Sequence, residues 1–367
     1  MKIFLYILAG LLLLVAIFFA WFFIFFLKVP SLDLSGELDE IEKINKIDEW
    51  FEQLQQDNKF NGVLAFSKDG KTLLTKGYGY TNHKKDQRLT EQSSLRLASV
   101  SKQFTAAGIM LLHENKKLDY DDPVSQYIEG VPYPEVTIRH LLNQTSGVPD
   151  VYLDLAEKNK KEISLLTNEI AVDLVIKENR KAVFSPNDQF QYSNTNYILL
   201  ARIIELLSGT SFENYMRTEL FEPLGMKNTR VWNLKSEEST FTNKVDDFEN
   251  FKGINSPIEP TFIDGVAGDG AVFSSATDML IWDQFWYEND LISPENLKQA
   301  FVKPQLTNGK ASDYGFGWMI TDNGSWHNGA WLGANTMIIR NTEKKTCMVI
   351  LDNSSNIFFD KILKEIK

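Results

Sequence analysis

Leu97-Ala-Ser-Val-Ser-Lys-Gln-Phe-Thr-Ala-Ala-Gly-Ile-Met-Leu-Leu112 is the stretch on which the reading of this chain turns. From Phe104 to Leu112 the residues are apolar on nearly every side, so the spacing predicts an interior helix running from Ser99 to Asn115. A lysine in the first turn of an interior helix is costly unless it has a task. Ser99 opens that helix and Lys102 follows three places on, which puts hydroxyl and amine on one face. A serine hydroxyl is a weak nucleophile until a base takes its proton. The positive end of the helix dipole and burial both push a lysine toward the neutral form that such a base requires. Ser99 is also the only serine of the chain with a lysine three residues later. Alone, the tetrapeptide reads equally well as an ordinary helix start with a solvated lysine.

Two further triplets extend the pattern. In Tyr192-Ser-Asn194 a phenol could serve as general base beside a lysine, and an amide could grip a carbonyl or fix Lys102. The same triplet reads as a core tyrosine beside an N-cap asparagine. His327-Asn-Gly329 is the only His-x-Gly in the chain. Gly329 would let a substrate backbone lie close, and the next amide, that of Ala330, could face an oxyanion. Its imidazole, partly charged near neutrality, could donate to a substrate carboxylate. A satisfied structural histidine is the other reading.

Outward from these motifs the periodicity changes. Leu38, Ile41, Ile44, Ile47, Phe51 and Leu54 recur at three and four, predicting an amphipathic helix. Residues 62–67 and 72–77 read as strands joined across Asp69-Gly70, a strong hairpin signal. From Ser99 to about Asp290 the pattern is mostly helical, with helices expected near 138–142, 163–177, 194–208, 212–220 and 276–288. Strand patterns return at 314–321, 325–327, 334–340 and 346–352, before a last helix at 357–364. The fold class expected is therefore α+β, an α/β sandwich. Its antiparallel sheet is built from N- and C-terminal segments, and a large, mostly helical insertion at about 99–290 interrupts it. A cleft between the two parts is the natural place for a site.

Composition removes several classes. The net charge of the 367 residues is −11, without the basic stripe that nucleic acid requires, so no nucleic-acid partner is expected. Cys347 is the single cysteine, which excludes an internal disulfide and Cys-x-x-Cys zinc sites, and it lies in an apolar run that reads as a buried strand. The histidines are scattered without a metal-binding spacing. No Gly-x-Ser-x-Gly elbow occurs, which disfavours an α/β-hydrolase. From Ile3 to Leu27 there is no charged residue, a length sufficient to cross a hydrocarbon layer of roughly 30 Å as a helix. Bulky residues continue to its end without a small-residue cleavage site, so the expectation is an uncleaved membrane anchor over 1–28. A linker and the start of the first helix follow at 29–46, and a catalytic domain at 47–367. Secretion after cleavage is the alternative.

Taken together the motifs resemble those of the β-lactamase-related serine hydrolases: class C β-lactamases, D-alanyl-D-alanine carboxypeptidases, D-aminopeptidases and family VIII esterases. Leu141-Leu-Asn-Gln-Thr-Ser-Gly147, Phe221-Glu-Pro-Leu-Gly-Met226, Gly268-Asp-Gly-Ala-Val-Phe-Ser-Ser-Ala-Thr-Asp278 and Tyr314-Gly-Phe-Gly-Trp318 are similar to the family as well. The resemblance implies a β-lactamase/transpeptidase-like fold, and a Ser99 acyl-enzyme formed on a peptide, ester or β-lactam-like substrate. It gives Lys102 and Tyr192 acid/base duty, puts Asn194, His327 and Gly329 against substrate, and makes an oxyanion hole from the Ser99 and Ala330 amides. No metal or organic cofactor is implied. A histidine in the third triplet points to carboxypeptidase- or aminopeptidase-like action rather than efficient penicillin hydrolysis. A carboxylesterase on the same fold and a non-catalytic penicillin-binding-like sensor are the alternatives. The substrate class places the domain outside the cytoplasm.

Overall fold

The computed structural model describes residues 2–22, 28–236, 238, 240–251 and 253–366. They form two compact units, Met1–Phe60 with Asn356–Lys367, and Asn61–Ser355.

In the first unit, α1 (Lys2–Trp21) is a 20-residue helix whose Leu12, Leu14, Phe18 and Trp21 side chains are exposed. Among the described residues no helix is long and apolar enough to cross a membrane. The full span expected over 3–27 is thus not found; its last part, 23–27, lies outside the described residues. Helix α2 (Glu40–Gln56) begins at Asp39, which accepts from the Glu42 amide while the Glu42 carboxylate accepts from Asp39 N–H, a reciprocal cap. It buries Ile44, Ile47, Phe51 and Leu54 of the stripe predicted by spacing, together with Trp50, whereas Ile41 is exposed and Leu38 precedes the helix. A closing helix, Phe359–Ile366, buries Phe359, Ile362 and Leu363.

The second unit opens with β1 (Gly62–Lys68) and β2 (Lys71–Tyr78). Asp69 and Gly70 between them both take positive φ, +48° and +72°, as a type I′ hairpin demands. The insertion then runs through β3 (Leu95–Arg96), α3 (Lys102–Glu114), α4 (Ile138–Leu142), α5 (Tyr152–Lys158), α6 (Asn168–Glu178), α7 (Asn194–Ser208) and α8 (Phe212–Met216). It continues with β4 (Arg230–Val231), β5 (Phe248–Phe251), β6 (Ile254–Pro257), β7 (Val272–Ser274), α9 (Ala276–Phe285) and α10 (Pro294–Gln299). Four strands complete the unit: β8 (Met319–Thr321), β9 (Gly324–Trp331), β10 (Ala334–Asn341) and β11 (Thr346–Asp352). The main sheet has the order β2-β1-β11-β10-β9-β8. Val63 stands opposite Leu351 and Ala65 opposite Val349 in antiparallel register, so strands from both ends of the chain do build one sheet.

Helix α3 runs through the core with every side chain from Lys102 to Leu112 buried. Phe104 stacks on Trp282 of α9 at 4.2 Å between ring centroids, and the Trp282 indole donates to Gln103. Cys347 is buried in β11.

Several expectations are corrected. The mostly helical insertion also carries strands that the pattern did not show: β3-β7-β4 form a small sheet and β5-β6 a hairpin. These strands have two to four residues, too short to display a period. The helix expected from 163 starts at Asn168, because Thr167 caps it by accepting from the Ile170 amide. The strand expected over 314–321 is confined to β8. Gly317 takes φ +75°, and a Cβ there would lie 2.8 Å from Gln103 Cα, so the chain turns tightly against α3.

Candidate active site

The first turn of the Ser99 helix is tighter than expected: Ala98–Ser101 form a 3₁₀ turn before α3 begins at Lys102. Ala98 has φ +47°, a left-handed conformation that costs an alanine on the order of 1–2 kcal/mol. Its surroundings hold it there. Leu97 N–H donates to Val272 O at 2.8 Å, Leu97 O accepts from the Thr336 hydroxyl at 2.8 Å, and Val272 N–H donates to the Ser101 hydroxyl at 3.1 Å. The turn leaves Ser99 half-buried while its neighbours are buried. Strain fixed by neighbouring bonds is a common way to present a reacting group.

Lys102 is fully buried. Its Nζ lies 3.2 Å from Ser99 Oγ, 2.8 Å from Asn194 Oδ1 and 2.8 Å from the Asp269 carbonyl. Asn194 is the first residue of α7, and Asp150 orients it. One Asp150 oxygen accepts from Asn194 Nδ2 at 3.0 Å, the other from the Thr195 amide at 3.1 Å. A carboxylate at a helix N-terminus is favoured by the exposed amides and the dipole, and here it also turns the Asn194 carbonyl oxygen toward Lys102. The Tyr192 ring centroid is 4.9 Å from Lys102 Nζ. The Tyr192 hydroxyl is buried and has no hydrogen-bond partner among the described residues.

His327 comes from β9 and faces Tyr192 with 6.3 Å between ring centroids. The sequence expectation of a partly charged imidazole is corrected here. The ring is buried, and burial, followed by the Lys102 charge, lowers its pKa to about 3 against the pull of its bond to Asn328. Nδ1 lies 2.6 Å from the Asn328 carbonyl and Nε2 lies 2.9 Å from the Tyr314 hydroxyl. A carbonyl only accepts, so Nδ1 carries the proton and Nε2 accepts from Tyr314. The turn at Gly317 brings Tyr314 to this place. Because the folded pKa lies below the unfolded value, the native state binds fewer protons between pH 6.5 and about 3. The His327 contribution to stability is therefore present above pH 6.5 and lost as pH falls. Between pH 7 and 5, His327→Gln is expected to unfold with a shallower pH dependence than the native chain. The difference approaches about 1.4 kcal/mol per pH unit below pH 6. Denaturant melts at several pH values check this, and parallel curves would refute it.

Gly329 closes the site from the sheet side. A Cβ at this position would lie 2.4 Å from Leu97 O, 2.6 Å from Thr336 Oγ1 and 2.8 Å from Ser99 N. Only glycine lets β9 approach the Ser99 turn this closely. Strand β8 pairs with β9 only over Gly324–Trp326, so the edge at His327–Trp331 has no strand partner on that side among the described residues. Ala330 is exposed there and lines one cleft with Ser99 and Asn194. Gly329→Ala is expected to destabilise the fold by about 1–3 kcal/mol through overpacking and to disturb the Ser99 turn. Thermal melts and labelling of Ser99 would detect both, and a variant with native values in each would contradict the fit described.

The four side chains singled out from the sequence, Ser99, Lys102, Tyr192 and His327, thus converge, with Asn194 and Gly329 among them. Sequence reasoning passed over Asp150, Gln144, Asp269 and Tyr314. Gln144 Oε1 accepts from the Ser193 amide and from Asn196 Nδ2 at 2.9 and 2.6 Å, which sets the entry to α7. Tyr152 donates to Asp269 at 2.6 Å. Burial raises the Asp269 carboxyl above its usual range, opposed by the Lys102 charge and the Tyr152 bond. Three of the four missed residues sit inside quoted phrases, Leu141–Gly147, Gly268–Asp278 and Tyr314–Trp318, and that was the available signal.

Residues 47–363 match the family described as Beta-lactamase. Penicillin-binding protein 4* of Bacillus subtilis strain 168 is 36% identical over 317 residues, covering 83% of this chain and 70% of that protein. A D-aminopeptidase of Gluconobacter oxydans is 25% identical over 299 residues, covering 80% and 55% respectively. Among solved structures, the octameric penicillin-binding protein homologue from Pyrococcus abyssi superimposes with a TM-score of 0.72 at 26% identity, over 87% of this chain and 77% of that one.

Proposed function

The chain belongs to the Beta-lactamase family, and from that premise we propose that it is a serine hydrolase that cleaves amide bonds through an acyl-enzyme on Ser99. The observation that carries this reading is the set of contacts at Lys102 Nζ. Three acceptors surround it: Ser99 Oγ, Asn194 Oδ1 and Asp269 O. An ammonium can donate to all three. A neutral amine donates to the two carbonyl oxygens and is left with its lone pair toward Ser99 Oγ, as a general base requires.

Attack then proceeds with the electrons balanced. Ser99 Oγ bonds to the substrate carbonyl carbon, its proton passes to Lys102, and the carbonyl oxygen takes the negative charge against the Ser99 and Ala330 amides. Collapse breaks the C–N bond, and the leaving nitrogen takes a proton through Tyr192, whose hydroxyl is otherwise unpaired. Water then repeats the sequence on the ester and frees Ser99. Asn194, His327 and Gly329 form the substrate-facing side. A neutral His327 offers no permanent cation to a substrate carboxylate, which weighs against efficient lactam hydrolysis and leaves peptidase- or amidase-like action on other amides favoured.

The test is covalent. A fluorophosphonate should label the folded protein, with mass spectrometry locating the adduct on Ser99. Folded protein that no fluorophosphonate modifies would turn the reading toward a binding or sensing role. We further propose that residues 3–27 anchor the chain in a membrane with this domain outside the cytoplasm, supported by the charge-free run there. Recovery of full-length protein in carbonate-washed membranes checks this, and a soluble, shortened product would show cleavage instead.

A further inference from the structure

Lys102 Nζ touches three neutral oxygens, yet it must carry a full positive charge once it has taken the Ser99 proton. A fully buried ammonium is costly unless an anion lies within reach. The residue whose carbonyl Lys102 already touches brings such an anion. Asp269 O accepts from Lys102 Nζ at 2.8 Å, and Asp269 Oδ2 accepts from the Tyr152 hydroxyl at 2.6 Å. The Lys102 charge is the strongest of the influences that draw the Asp269 carboxyl back toward ionisation against burial. The loop is held in place from α3 itself, where the Thr105 hydroxyl donates to Gly268 O at 2.6 Å.

Three consecutive residues hold both partners of Lys102 that lie outside its own helix. Asp150 fixes the Asn194 amide, and Tyr152 fixes the Asp269 carboxylate. The Val151 and Tyr152 amides both donate to Thr195 Oγ1, at 3.1 and 3.4 Å, which ties this segment to the first turn of α7. The remaining groups on this side are otherwise engaged. Tyr192 and Tyr197 present ring faces at 4.9 and 5.7 Å from Nζ. His327 is neutral and accepts from Tyr314. Asp150 binds Asn194 and Thr195, and Asp264 binds the Trp331 indole and the Thr261 amide. Arg96 and Lys244 pair with Asp247 and Asp246, at 2.7 Å in each case.

We propose that the Asp269 carboxylate, held by Tyr152, is the counter-charge that lets Lys102 take the Ser99 proton, and that it thereby sets the pH range in which Ser99 reacts. Asp269 acts through Lys102 and is a positioning residue. The inference rests on the serine hydrolase reading and adds the control of its base. An ionised carboxylate nearby makes the amine a stronger base but frees it of its proton only at higher pH.

The experiment follows the second-order rate of fluorophosphonate labelling of the full chain from about pH 5 to 10. Ser99 Oγ bonds to phosphorus, fluoride leaves with the P–F electron pair, and the Ser99 proton passes to Lys102. Fluoride needs no proton to leave, so the profile follows the base. Asp269→Asn should move the acid limb down by about one pH unit, the lower end of what an opposite charge at close range does. The plateau should fall about threefold, while on the acid limb the variant should react about threefold faster than the native chain, because a weaker base is available sooner. Asp269→Glu should return the limb most of the way. A change that only loosened the fold would slow labelling at every pH. Tyr152→Phe, which removes a single hydroxyl, should move the limb the same way by less, since a carboxylate without its donor is protonated more readily. It decides the matter if Asp269→Asn does not fold. An unmoved limb or a uniform loss of rate in the folded variant would overturn the proposal. Native chain that takes no label removes the hydrolase reading beneath it.

Discussion

Ser99→Ala should abolish both covalent labelling and amide hydrolysis, with a fall in kcat on the order of 10⁴- to 10⁶-fold, the range seen when a serine nucleophile is removed. The size of the effect follows from the step lost. Without the hydroxyl no acyl-enzyme forms, and water attack aided only by the oxyanion site and substrate binding remains. The fold should survive, because the Ser99 hydroxyl is half-exposed and its hydrogen bond is to Lys102. A melting profile near that of the native chain, together with loss of the mass adduct, is the expected pair of results. An adduct that persists at another serine would move the nucleophile elsewhere.

Lys102→Met should give the second largest loss, roughly 10²- to 10⁴-fold in the acylation rate, the range for removing a positioned base. Methionine fills a similar volume but leaves Asn194 Oδ1 and the Asp269 carbonyl without their donor. Each buried acceptor left unpaired costs about 1–3 kcal/mol, so circular dichroism and a melt must accompany the kinetics. Arginine should not rescue. Its planar fork cannot reproduce three acceptors converging on one nitrogen, and it does not give up its proton. A single-turnover burst of native rate in folded Lys102→Met would assign the base to another group.

How much of this was legible in the chain depends on the distance over which each feature is encoded. The Ser99–Lys102 pair is a local fact of helix geometry, and the apolar run after it predicted an interior helix, although the tetrapeptide alone left a solvated lysine open. The hairpin at Asp69-Gly70 was equally plain, since two consecutive positive φ values require such residues. Tyr192, Asn194 and His327 drew meaning from their order and from resemblance, because nothing local distinguishes them from core residues. The state of His327 was not legible at all. It depends on burial of the ring and on the Lys102 charge, and its hydrogen-bond partner, a phenol thirteen positions earlier, is delivered by a turn at Gly317 that reads as continuous strand. Asp150 was invisible for a similar reason: its partners lie 44 and 45 positions later.

The way the two ends of the chain meet in the main sheet has a consequence for biosynthesis. The Asn61 amide donates to the carboxylate of Asp352, 291 positions later, and the whole of β1 lies against β11. At ribosomal speeds of about 5–20 residues per second, that interval lasts roughly 15–60 s. Throughout it the apolar β1–β2 ribbon has one edge without its neighbour. A nascent polypeptide of this layout is exposed to illicit strand pairing until β11 has been made. Holding it unfolded until release, by a chaperone or by translocation, would protect it through the vulnerable minute.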